Sequence, residues 1–388
     1  MSQFTGTCST RLIHIAALAC AALGAPSALA APPPVSFAPA ASYATGGGAP
    51  GWSETTVVTA DFNNDGRPDI VSTDYFAQAA PLVQLNLGNG VFQSPGTRLP
   101  ASANGAGALA AGDLNFDGKI DLLVSNTQNI LVYLGNGNGT FTAGASYSLF
   151  TGGQEDIVML DANNDGKLDA VAITRSGIQM MLGNGNGTFT LPAAQTVPGI
   201  FPSGVDKAKF NYDANVDLLL IDGAGQVIPL LGNGNGSFTQ GAAAYAGFIL
   251  GTGLAGDFNH DGIDDAVALP EFNAGTRNAV VFISNGAGGF GAGTYYDGGL
   301  APVSGELADL NRDGNLDVIC SDTGGSKEVI LLGNGNGTFT QGGGFAVATS
   351  AQTPVVADFN ADGRIDIATV GTSGFSTGTL SVLRNTTP

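Results

Sequence analysis

The sequence predicts an all-β protein, a seven-bladed β-propeller with four-stranded blades. Three observations predict it: one nonapeptide recurs seven times, short β-type runs lie between the copies, and no helical pattern occurs. Glycine accounts for 60 of the 388 residues. Such a content disfavours long helices, because each glycine costs about 1 kcal/mol in a helix interior.

The nonapeptide reads Asp-x-Asn-x-Asp-Gly-x-x-Asp, with positions 1 to 9. One degraded copy starts at Lys209, and successive copies are 48 to 52 residues apart. A fixed period of this length indicates a chain built from equivalent structural units. The six intact copies begin at Asp61, Asp113, Asp161, Asp257, Asp309 and Asp358.

A second motif, Leu-Gly-Asn-Gly-Asn-Gly-Thr-Phe, is clear at residues 134–141, 182–189 and 332–339. Asn-Gly steps tolerate the positive φ of tight hairpins, so the motif is predicted to join two strands. In the second repeat, β-type runs at 108–112 and 122–125 flank the nonapeptide. Two more strands are expected on either side of the hairpin. Four strands in each of seven repeats predict a propeller.

The seventh repeat ends before a fourth strand, and a segment near the other end of the chain resembles the missing piece. Residues 37–43 resemble 141–147, the fourth strand of the second repeat. We therefore expect residues 35–43 to complete the last blade and close the ring, which removes exposed strand edges. The blades are expected at about 52–99, 106–149, 153–197, 202–246, 251–297, 303–347 and 352–384.

The first thirty residues have the features of a targeting segment. Arg11 precedes an apolar run at 12–23, and Ala28-Leu29-Ala30 fits a small-x-small cleavage site. We predict a signal peptide cleaved after Ala30 and a propeller domain at 31–388, in a protein that is secreted, periplasmic or on the cell surface. A lipid anchor at Cys20 is disfavoured, because leucine does not stand three residues before it. Cleavage would leave Cys320 without a partner for an intramolecular disulfide.

The charge balance excludes several classes of partner. The chain has 13 basic and 32 acidic residues, a net charge of −19. A nucleic-acid binder needs a basic surface, and an anionic membrane would repel this chain. No stretch after the targeting segment is apolar enough to span a membrane. We expect a monomer whose natural partners include cations.

The nonapeptides are predicted to bind calcium. Positions 1, 3 and 5 offer carboxylate, amide and carboxylate oxygens, position 7 a backbone carbonyl and position 9 a closing carboxylate, and calcium takes six to eight oxygens. Asx turns alone would not require three mutually repelling aspartates, and magnesium demands a tighter octahedron. The predicted ligands are Asp61, Asn63, Asp65, Arg67, Asp69, Asp113, Asn115, Asp117, Lys119, Asp121, Asp161, Asn163, Asp165, Lys167, Asp169, Asp257, Asn259, Asp261, Ile263, Asp265, Asp309, Asn311, Asp313, Asn315, Asp317, Asp358, Asn360, Asp362, Arg364 and Asp366.

The fourth copy is predicted to hold no calcium, which gives about six sites in the chain. Lys209 replaces the first aspartate and Ala214 replaces the glycine. The Lys209 ammonium is expected to neutralise Asp213 and Asp217 in place of a metal. Simple decay of the loop is the alternative explanation.

On these residues the chain resembles the FG-GAP/VCBS repeat family, which is similar to the β-propeller of integrin α-subunits. The resemblance covers about residues 35–388. It implies seven blades, calcium in the hairpin between the first two strands of a blade, and ligand positions 1, 3, 5, 7 and 9. It also implies extracellular recognition through loops on the opposite face. Six intact loops and the lack of any other domain depart from integrins, so integrin partners do not carry over.

Aromatic residues gather in the connections of that opposite face. They could stack on sugars or anchor a protein ligand, or they could instead fill gaps between blades. The candidates for this ligand face are Trp52, Tyr75, Phe76, Phe150, Phe201, Phe248, Phe272, Arg277, Tyr296 and Phe375.

Three functions are compatible with the sequence. The first is a non-enzymatic recognition or adhesion module, stiffened by calcium, for a glycan or protein ligand. The second is a polysaccharide lyase or glycosidase, which needs an acid/base pair outside the metal loops; Asp156 and Glu306 are among the available groups. The third is a structural envelope protein. His260 is expected to be a solvated loop residue and Cys320 a core residue, which disfavours a nucleophilic triad.

Overall fold

The structure is a computed structural model that describes residues 31–45, 56–73, 80–100, 106–126, 129–148, 156–174, 177–197, 201–271, 278–372 and 378–388. These residues form seven small antiparallel sheets arranged as a seven-bladed β-propeller. The predicted fold class is therefore confirmed. The predicted signal peptide lies outside the described residues. Within the described ranges, no helix is long and apolar enough to cross a membrane.

The first three blades follow one another along the chain. Within each of them, the strands follow the chain from the innermost to the outermost. Blade 1 contains β2 (Val57–Ala60), β3 (Asp69–Ser72), β4 (Leu82–Gln84) and β5 (Thr97–Arg98). Blade 2 contains β6 (Leu109–Gly112), β7 (Asp121–Ser125), β8 (Asn129–Gly135) and β9 (Phe141–Ser148). Blade 3 contains β10 (Ile157–Leu160), β11 (Asp169–Thr174), β12 (Gly177–Gly183) and an outer strand in two pieces, β13 (Phe189–Thr190) and β14 (Gln195–Thr196).

The remaining blades repeat this order. Blade 4 contains β15 (Pro202–Ala208), β16 (Asp217–Asp222), β17 (Gln226–Gly232), β18 (Phe238–Gln240) and β19 (Ala244–Tyr245). Blade 5 contains β20 (Leu250–Gly256), β21 (Asp265–Pro270), β22 (Ala279–Phe282) and β23 (Thr294–Tyr296). Blade 6 contains β24 (Pro302–Ala308), β25 (Asp317–Asp322), β26 (Lys327–Gly333) and β27 (Phe339–Ala346). Blade 7 contains β28 (Ser350–Ala357), β29 (Asp366–Thr372), β30 (Gly378–Leu383) and β1 (Ala41–Ala44).

The apolar core lies between the blades. Seven buried clusters each combine side chains of two successive blades, and one of them packs blade 7 against blade 1. Cys320 is fully buried in the cluster between blades 5 and 6, which confirms it as a core residue. The ring is thus held by side-chain packing around its whole circumference, since burial of apolar surface dominates folding.

The N-terminal segment closes the ring as predicted. Strand β1 pairs antiparallel with β30, so that Tyr43 lies opposite Leu380. Before β1, the segment lies beside the last blade, where Phe37 forms an isolated antiparallel bridge with Asn385. The Tyr43 hydroxyl donates a hydrogen bond to the Gly90 carbonyl at 3.0 Å, which also ties the closing strand to blade 1.

The antiparallel strand order places two kinds of connection at one end of blades 1 to 6. The first strand leads through the nonapeptide into the second, and the third leads through the Asn-Gly turn into the fourth; blade 7 has the nonapeptide connection, and its fourth strand is β1. Both connections therefore lie at the same end, which we call the aspartate-loop face. The other connections lie at the opposite face. In each blade the second strand starts at the position-9 aspartate.

Candidate functional site

Each intact loop folds around the oxygens of positions 1, 3 and 5. In the first loop, Asp61 accepts hydrogen bonds from the N–H groups of Asp65 (3.1 Å) and Gly66 (2.7 Å). The Asn63 side-chain oxygen shares the Asp65 N–H at 3.0 Å, and the Asp65 carboxylate accepts from the Arg67 N–H at 3.0 Å. The same four hydrogen bonds recur in the loops that begin at Asp113, Asp161, Asp257, Asp309 and Asp358.

Two positions of the intact loops have a left-handed backbone. The position-6 glycines have φ between 78° and 89°, a conformation that only glycine adopts at little cost. Position 4 also has positive φ, even where it is Phe116 (60°) or Arg312 (61°). This conformation at position 4 could not be predicted from the sequence, because neither phenylalanine nor arginine favours it. The side chain at position 4 reaches the next blade in several loops; His260 Nε2, for example, lies 2.8 Å from Asn315 Oδ1.

The position-9 aspartate joins three strands of its own blade. In blade 2, Asp121 accepts hydrogen bonds from the N–H groups of Leu114 (3.0 Å) and Gly135 (2.7 Å). These donors stand at position 2 of the loop and at the end of the third strand. All seven blades have this pair of hydrogen bonds, including the degraded fourth. This structural role adds to the predicted role as a ligand, because each carboxylate oxygen retains a second lone pair.

The glycine at the end of the third strand is required by its surroundings. A Cβ added at Gly135 would lie 2.2 Å from the Ile120 carbonyl oxygen. Equivalent contacts of 2.1 Å occur at Gly183 and Gly232. The Leu-Gly step of the second motif therefore lets the third strand approach the loop closely enough to reach the position-9 carboxylate.

Burial and neighbouring charges raise the pKa of position-9 aspartates. Burial raises the pKa of Asp121 to about 6, and that of Asp265 and Asp317 to about 7. The carboxylates at positions 1 and 5 of the same loops raise these pKa values further. A position-9 carboxylate whose charged form is destabilised in this way would be stabilised by a divalent cation.

Four loops carry a basic side chain at position 7 that pairs with position 5. The pairs are Lys119 with Asp117 at 3.3 Å, Lys167 with Asp165 at 2.9 Å, Arg364 with Asp362 at 3.1 Å, and Arg67 with Asp65. Position 7 is isoleucine or asparagine in the loops that begin at Asp257 and Asp309. Those two loops have no basic residue at this position.

The oxygen donors fit calcium in kind, although the loops are not a preformed cage. Carboxylate, amide and carbonyl oxygens are the ligands that calcium takes. Among the described residues, no three carboxylate, imidazole or thiolate groups already converge on one point. If calcium binds, positions 1, 3, 5 and 9 would hold it with their side chains and position 7 with its carbonyl group.

The fourth loop differs from the others in backbone and in partners. Tyr212 and Ala214 at positions 4 and 6 do not have the positive φ of the intact loops. The Lys209 side chain is exposed and forms no ion pair with Asp213 or Asp217 among the described residues. The predicted neutralisation by its ammonium group is therefore wrong.

The backbone of Lys209 is bonded to the fifth loop. The Lys209 N–H donates to Asp264 Oδ2 at 2.8 Å, and the Asp264 N–H donates to the Lys209 carbonyl at 2.8 Å. Asp264 stands at position 8, which is apolar or proline in the other loops. The lysine thus lies against a neighbouring blade, a contact that a single repeat could not reveal.

Neighbouring loops are also joined by the Asn-Gly turns. A glycine N–H in the turn of one blade donates to the position-2 carbonyl of the preceding blade. Gly139 N–H reaches the Phe62 carbonyl at 3.0 Å, and Gly90 N–H reaches Phe359 across the closure of the ring at 2.9 Å. Between blades 6 and 7, the Asn385 side chain takes the place of the glycine, and its Nδ2 donates to the Leu310 carbonyl at 2.8 Å. Hydrogen bonds therefore join all seven blades at the aspartate-loop face.

Three of the predicted ligand-face residues lie within the described part of the chain. Phe201 is 73% exposed, and Phe248 is half-buried. Tyr296 packs edge-on against Phe339 of blade 6, and its hydroxyl accepts the Phe339 N–H at 3.3 Å. Tyr296 therefore fills a gap between blades, as the alternative explanation held. Trp52, Tyr75, Phe76, Phe150, Phe272, Arg277 and Phe375 lie outside the described residues.

The sequence analysis missed other exposed apolar side chains at the opposite face of blades 4 to 6. Tyr245 is 64% exposed and stands at the end of the outer strand of blade 4. Tyr295, Ile249 and Leu300 are exposed in the neighbouring blade and connections. The Tyr295 hydroxyl donates to the Ala246 carbonyl at 3.1 Å, so the Tyr295 side chain reaches the backbone next to Tyr245.

The candidate acid/base groups of the enzyme hypothesis belong to different blades. Asp156 lies beside the first strand of blade 3, and its two carboxylate oxygens accept the N–H groups of Ile157 (2.9 Å) and Val205 (3.1 Å). Glu306 lies in β24 of blade 6, where Oε1 accepts the Leu307 N–H at 3.0 Å. Both carboxyl groups serve the backbone of the inner strands.

The fold and the repeated loops define a β-propeller built from aspartate-loop repeats. A family model described as FG-GAP-like repeat matches residues 61–124, 113–172, 161–220, 257–320 and 309–369. The chain therefore belongs to the FG-GAP-like repeat family, as its sequence motifs indicated. A search of curated proteins finds no match.

Solved structures share the fold at low sequence identity. An Agrocybe aegerita lectin, described by its specific recognition of non-reducing terminal N-acetylglucosamine, is 20% identical, with a TM-score of 0.56, over 87% of this chain and 86% of the lectin. BBS1N in complex with ARL6DN is 12% identical, with a TM-score of 0.61, over 91% of this chain and 97% of that one. A Lactobacillus plantarum protein is 13% identical, with a TM-score of 0.56, over 82% of this chain and 89% of that one.

Proposed function

We propose that this chain is an exported calcium-binding propeller that recognises a glycan through its opposite face. The observation that carries the proposal is the group of exposed side chains Phe201, Tyr245, Ile249, Tyr295 and Leu300 at one end of blades 4 to 6. Exposed aromatic rings offer flat apolar surfaces, and the tyrosines add hydroxyl groups. This combination suits sugars, which present both C–H and O–H groups.

Calcium would serve this function by stiffening the other end of the ring. The six intact loops supply oxygen ligands and mutually repelling carboxylates, as described above. A ligand that binds only the folded state stabilises it by mass action. The lectin named above shares the propeller fold and recognises a terminal sugar, which is a reason to test glycans before proteins.

The proposal is tested by glycan-array binding of residues 31–388 in calcium, with two matched variants. Tyr245→Ala removes an exposed ring from the opposite face, whereas Tyr212→Ala removes one that is 72% exposed on the aspartate-loop face. We expect binding that Tyr245→Ala weakens at least tenfold and Tyr212→Ala leaves unchanged.

Two results would contradict the proposal. Equal loss in both variants would place the ligand elsewhere, and no glycan binding would favour a protein ligand or a structural role. Elemental analysis after dialysis measures calcium separately, with about six ions per chain as the expected value.

A further inference from the structure

The sixth loop, which begins at Asp309, is covered more deeply than the other intact loops. Asn311 at position 3 is buried, with 7% of its surface exposed, whereas the equivalent asparagines of the other loops are half-buried. Asp313 at position 5 is half-buried, and the aspartates at this position in the other loops are exposed.

The N-terminal segment lies against this loop. Asn311 Nδ2 donates a hydrogen bond to the Pro33 carbonyl oxygen at 3.1 Å. Two residues later, Val35 is buried in the cluster that contains Leu310. Phe37 then packs edge-on against Phe345 of blade 6, with ring centroids 4.8 Å apart. The segment that completes blade 7 is therefore anchored on blade 6, at a residue of the predicted calcium site.

The amide of Asn311 has different partners on its two sides. Its Oδ1 accepts the Asp313 N–H at 3.1 Å and is the predicted calcium ligand. Its Nδ2 donates both to Pro33 and to Asp313 Oδ2, the latter also at 3.1 Å. Because an amide group is planar, an ion that fixes Oδ1 also fixes the direction in which Nδ2 donates.

We propose that Asn311 couples calcium binding in the sixth loop to closure of the ring by the N-terminal segment. The inference rests on the proposed calcium binding and adds a positioning role for one residue. Calcium on Oδ1 holds Nδ2 toward Pro33 and so keeps the segment docked. By thermodynamic reciprocity, the docked segment raises the affinity of this loop for calcium by the same factor by which calcium favours docking.

The seventh loop supplies a matched control. Asn360 stands at the same position, its Nδ2 donates to Asp362 Oδ2 at 3.2 Å, and its Oδ1 accepts the Asp362 N–H at 2.9 Å. It has no hydrogen bond to residues 31–45 in the described structure. Asn311→Asp and Asn360→Asp therefore add the same charge, keep an oxygen ligand and remove the same bond within the loop. Only Asn311→Asp also removes the donor to Pro33.

The test is hydrogen exchange in residues 31–388, with and without calcium. The reporters are the Ala38 N–H, bonded to the Arg384 carbonyl at 2.9 Å, and the Thr386 N–H, bonded to the Ser36 carbonyl at 2.8 Å. In the unmodified chain and in Asn360→Asp, we expect calcium to slow exchange of both amides about fivefold or more. In Asn311→Asp, calcium should no longer slow them.

Calcium titration against a fluorescent chelator gives the reciprocal measurement. One site should bind calcium more tightly than the rest, and Asn311→Asp should abolish that difference in affinity. If no calcium binds, the proposed function and this inference fail together. If calcium binds but leaves the reporter amides unaffected, or if the two variants behave alike, only the inference fails. The comparison of the unmodified chain with and without calcium holds even if a variant does not fold.

Discussion

At the aspartate-loop face, every blade repeats the same hydrogen bonds around its position-9 aspartate. At the opposite face, successive blades differ in the side chains that they bury and expose. Glu328 shows the difference. It is fully buried near the start of β26. The equivalent residues of four other blades are apolar, namely Ile130, Ile178, Val227 and Leu380.

The difference shows how a repeat protein separates stability from specificity. At the aspartate-loop face, backbone N–H groups of the loop and of the end of the third strand meet one carboxylate of the second strand, so each blade needs the same residue at the same place. At the opposite face, the described residues have no hydrogen bond that recurs in all seven blades, and exposed tyrosines or a buried glutamate appear in single blades. Binding residues are accordingly common on loops held by a rigid scaffold.

Removal of calcium should lower the stability of the aspartate-loop face more than any substitution below, because it acts on six loops at once. Each site stabilises the fold by about 2.7 kcal/mol when calcium is at 100 times its dissociation constant. We expect excess chelator to lower the melting temperature strongly and added calcium to restore it, whereas magnesium should restore it poorly. An unchanged melting temperature in chelator would contradict calcium binding at the loop end.

Asp217→Ala should have the next largest effect, and it isolates the hydrogen bonds from the metal. The fourth loop is predicted to bind no calcium, yet Asp217 accepts the N–H groups of Phe210 (2.7 Å) and Gly232 (2.8 Å). Leaving two buried donors unsatisfied costs about 2–5 kcal/mol. Urea unfolding of the variant and of the unmodified chain in chelator measures this loss of unfolding free energy. Asp213→Ala, in an exposed part of the same loop, is the control and should cost less than about 1 kcal/mol; equal costs would refute the structural role of position 9.

The loop end could be predicted from the sequence to a larger extent than the opposite end. The spacing of Asp, Asn and Gly residues predicted the blades, and the likeness of residues 37–43 to 141–147 predicted the closing strand. The structural role of Asp121 was missed because its partner, Gly135, belongs to a later strand. The Lys209 side chain was misplaced because its backbone partner, Asp264, lies in the next blade. Contacts between blades are not encoded within one repeat.

The substitution Glu328→Gln tests the opposite face through the pH dependence of the unfolding free energy. The Ser321 hydroxyl donates to Glu328 Oε2 at 2.8 Å, and Oε1 has no hydrogen-bond partner among the described residues. Burial raises the pKa of Glu328 from 4.5 to about 7, and the Ser321 hydroxyl offsets this only in part.

The sign of the effect follows from the raised pKa. Below pH 4.5 both the folded and the unfolded chain carry the proton, and Glu328 costs nothing. As the pH rises to about 7, the unfolded chain ionises first, so the folded state loses stability by about 3 kcal/mol. We expect Glu328→Gln to remove this loss and to exceed the unmodified chain in stability above pH 7. The difference in unfolding free energy between the two chains, measured from pH 4 to 8 in chelator, isolates Glu328; a flat difference would contradict the prediction.

Substitutions of Lys209 should have the smallest effects on stability, and they compare the fourth loop with the intact loops. Lys209→Asp with Ala214→Gly restores the carboxylate and the glycine that every intact loop has, so calorimetry should count seven calcium ions instead of six. Tyr212 can remain, because Phe116 shows that an aromatic residue adopts positive φ at position 4.

Lys209→Ala is the contrasting variant. The hydrogen bonds to Asp264 use the backbone of Lys209 and survive this substitution. Its exposed ammonium pairs with neither carboxylate of the loop, so the unfolding free energy should change by less than about 0.5 kcal/mol. A larger loss would show that the lysine charge stabilises the loop after all, and a seventh ion bound by Lys209→Ala alone would show that the lysine, rather than the backbone at Ala214, excludes calcium.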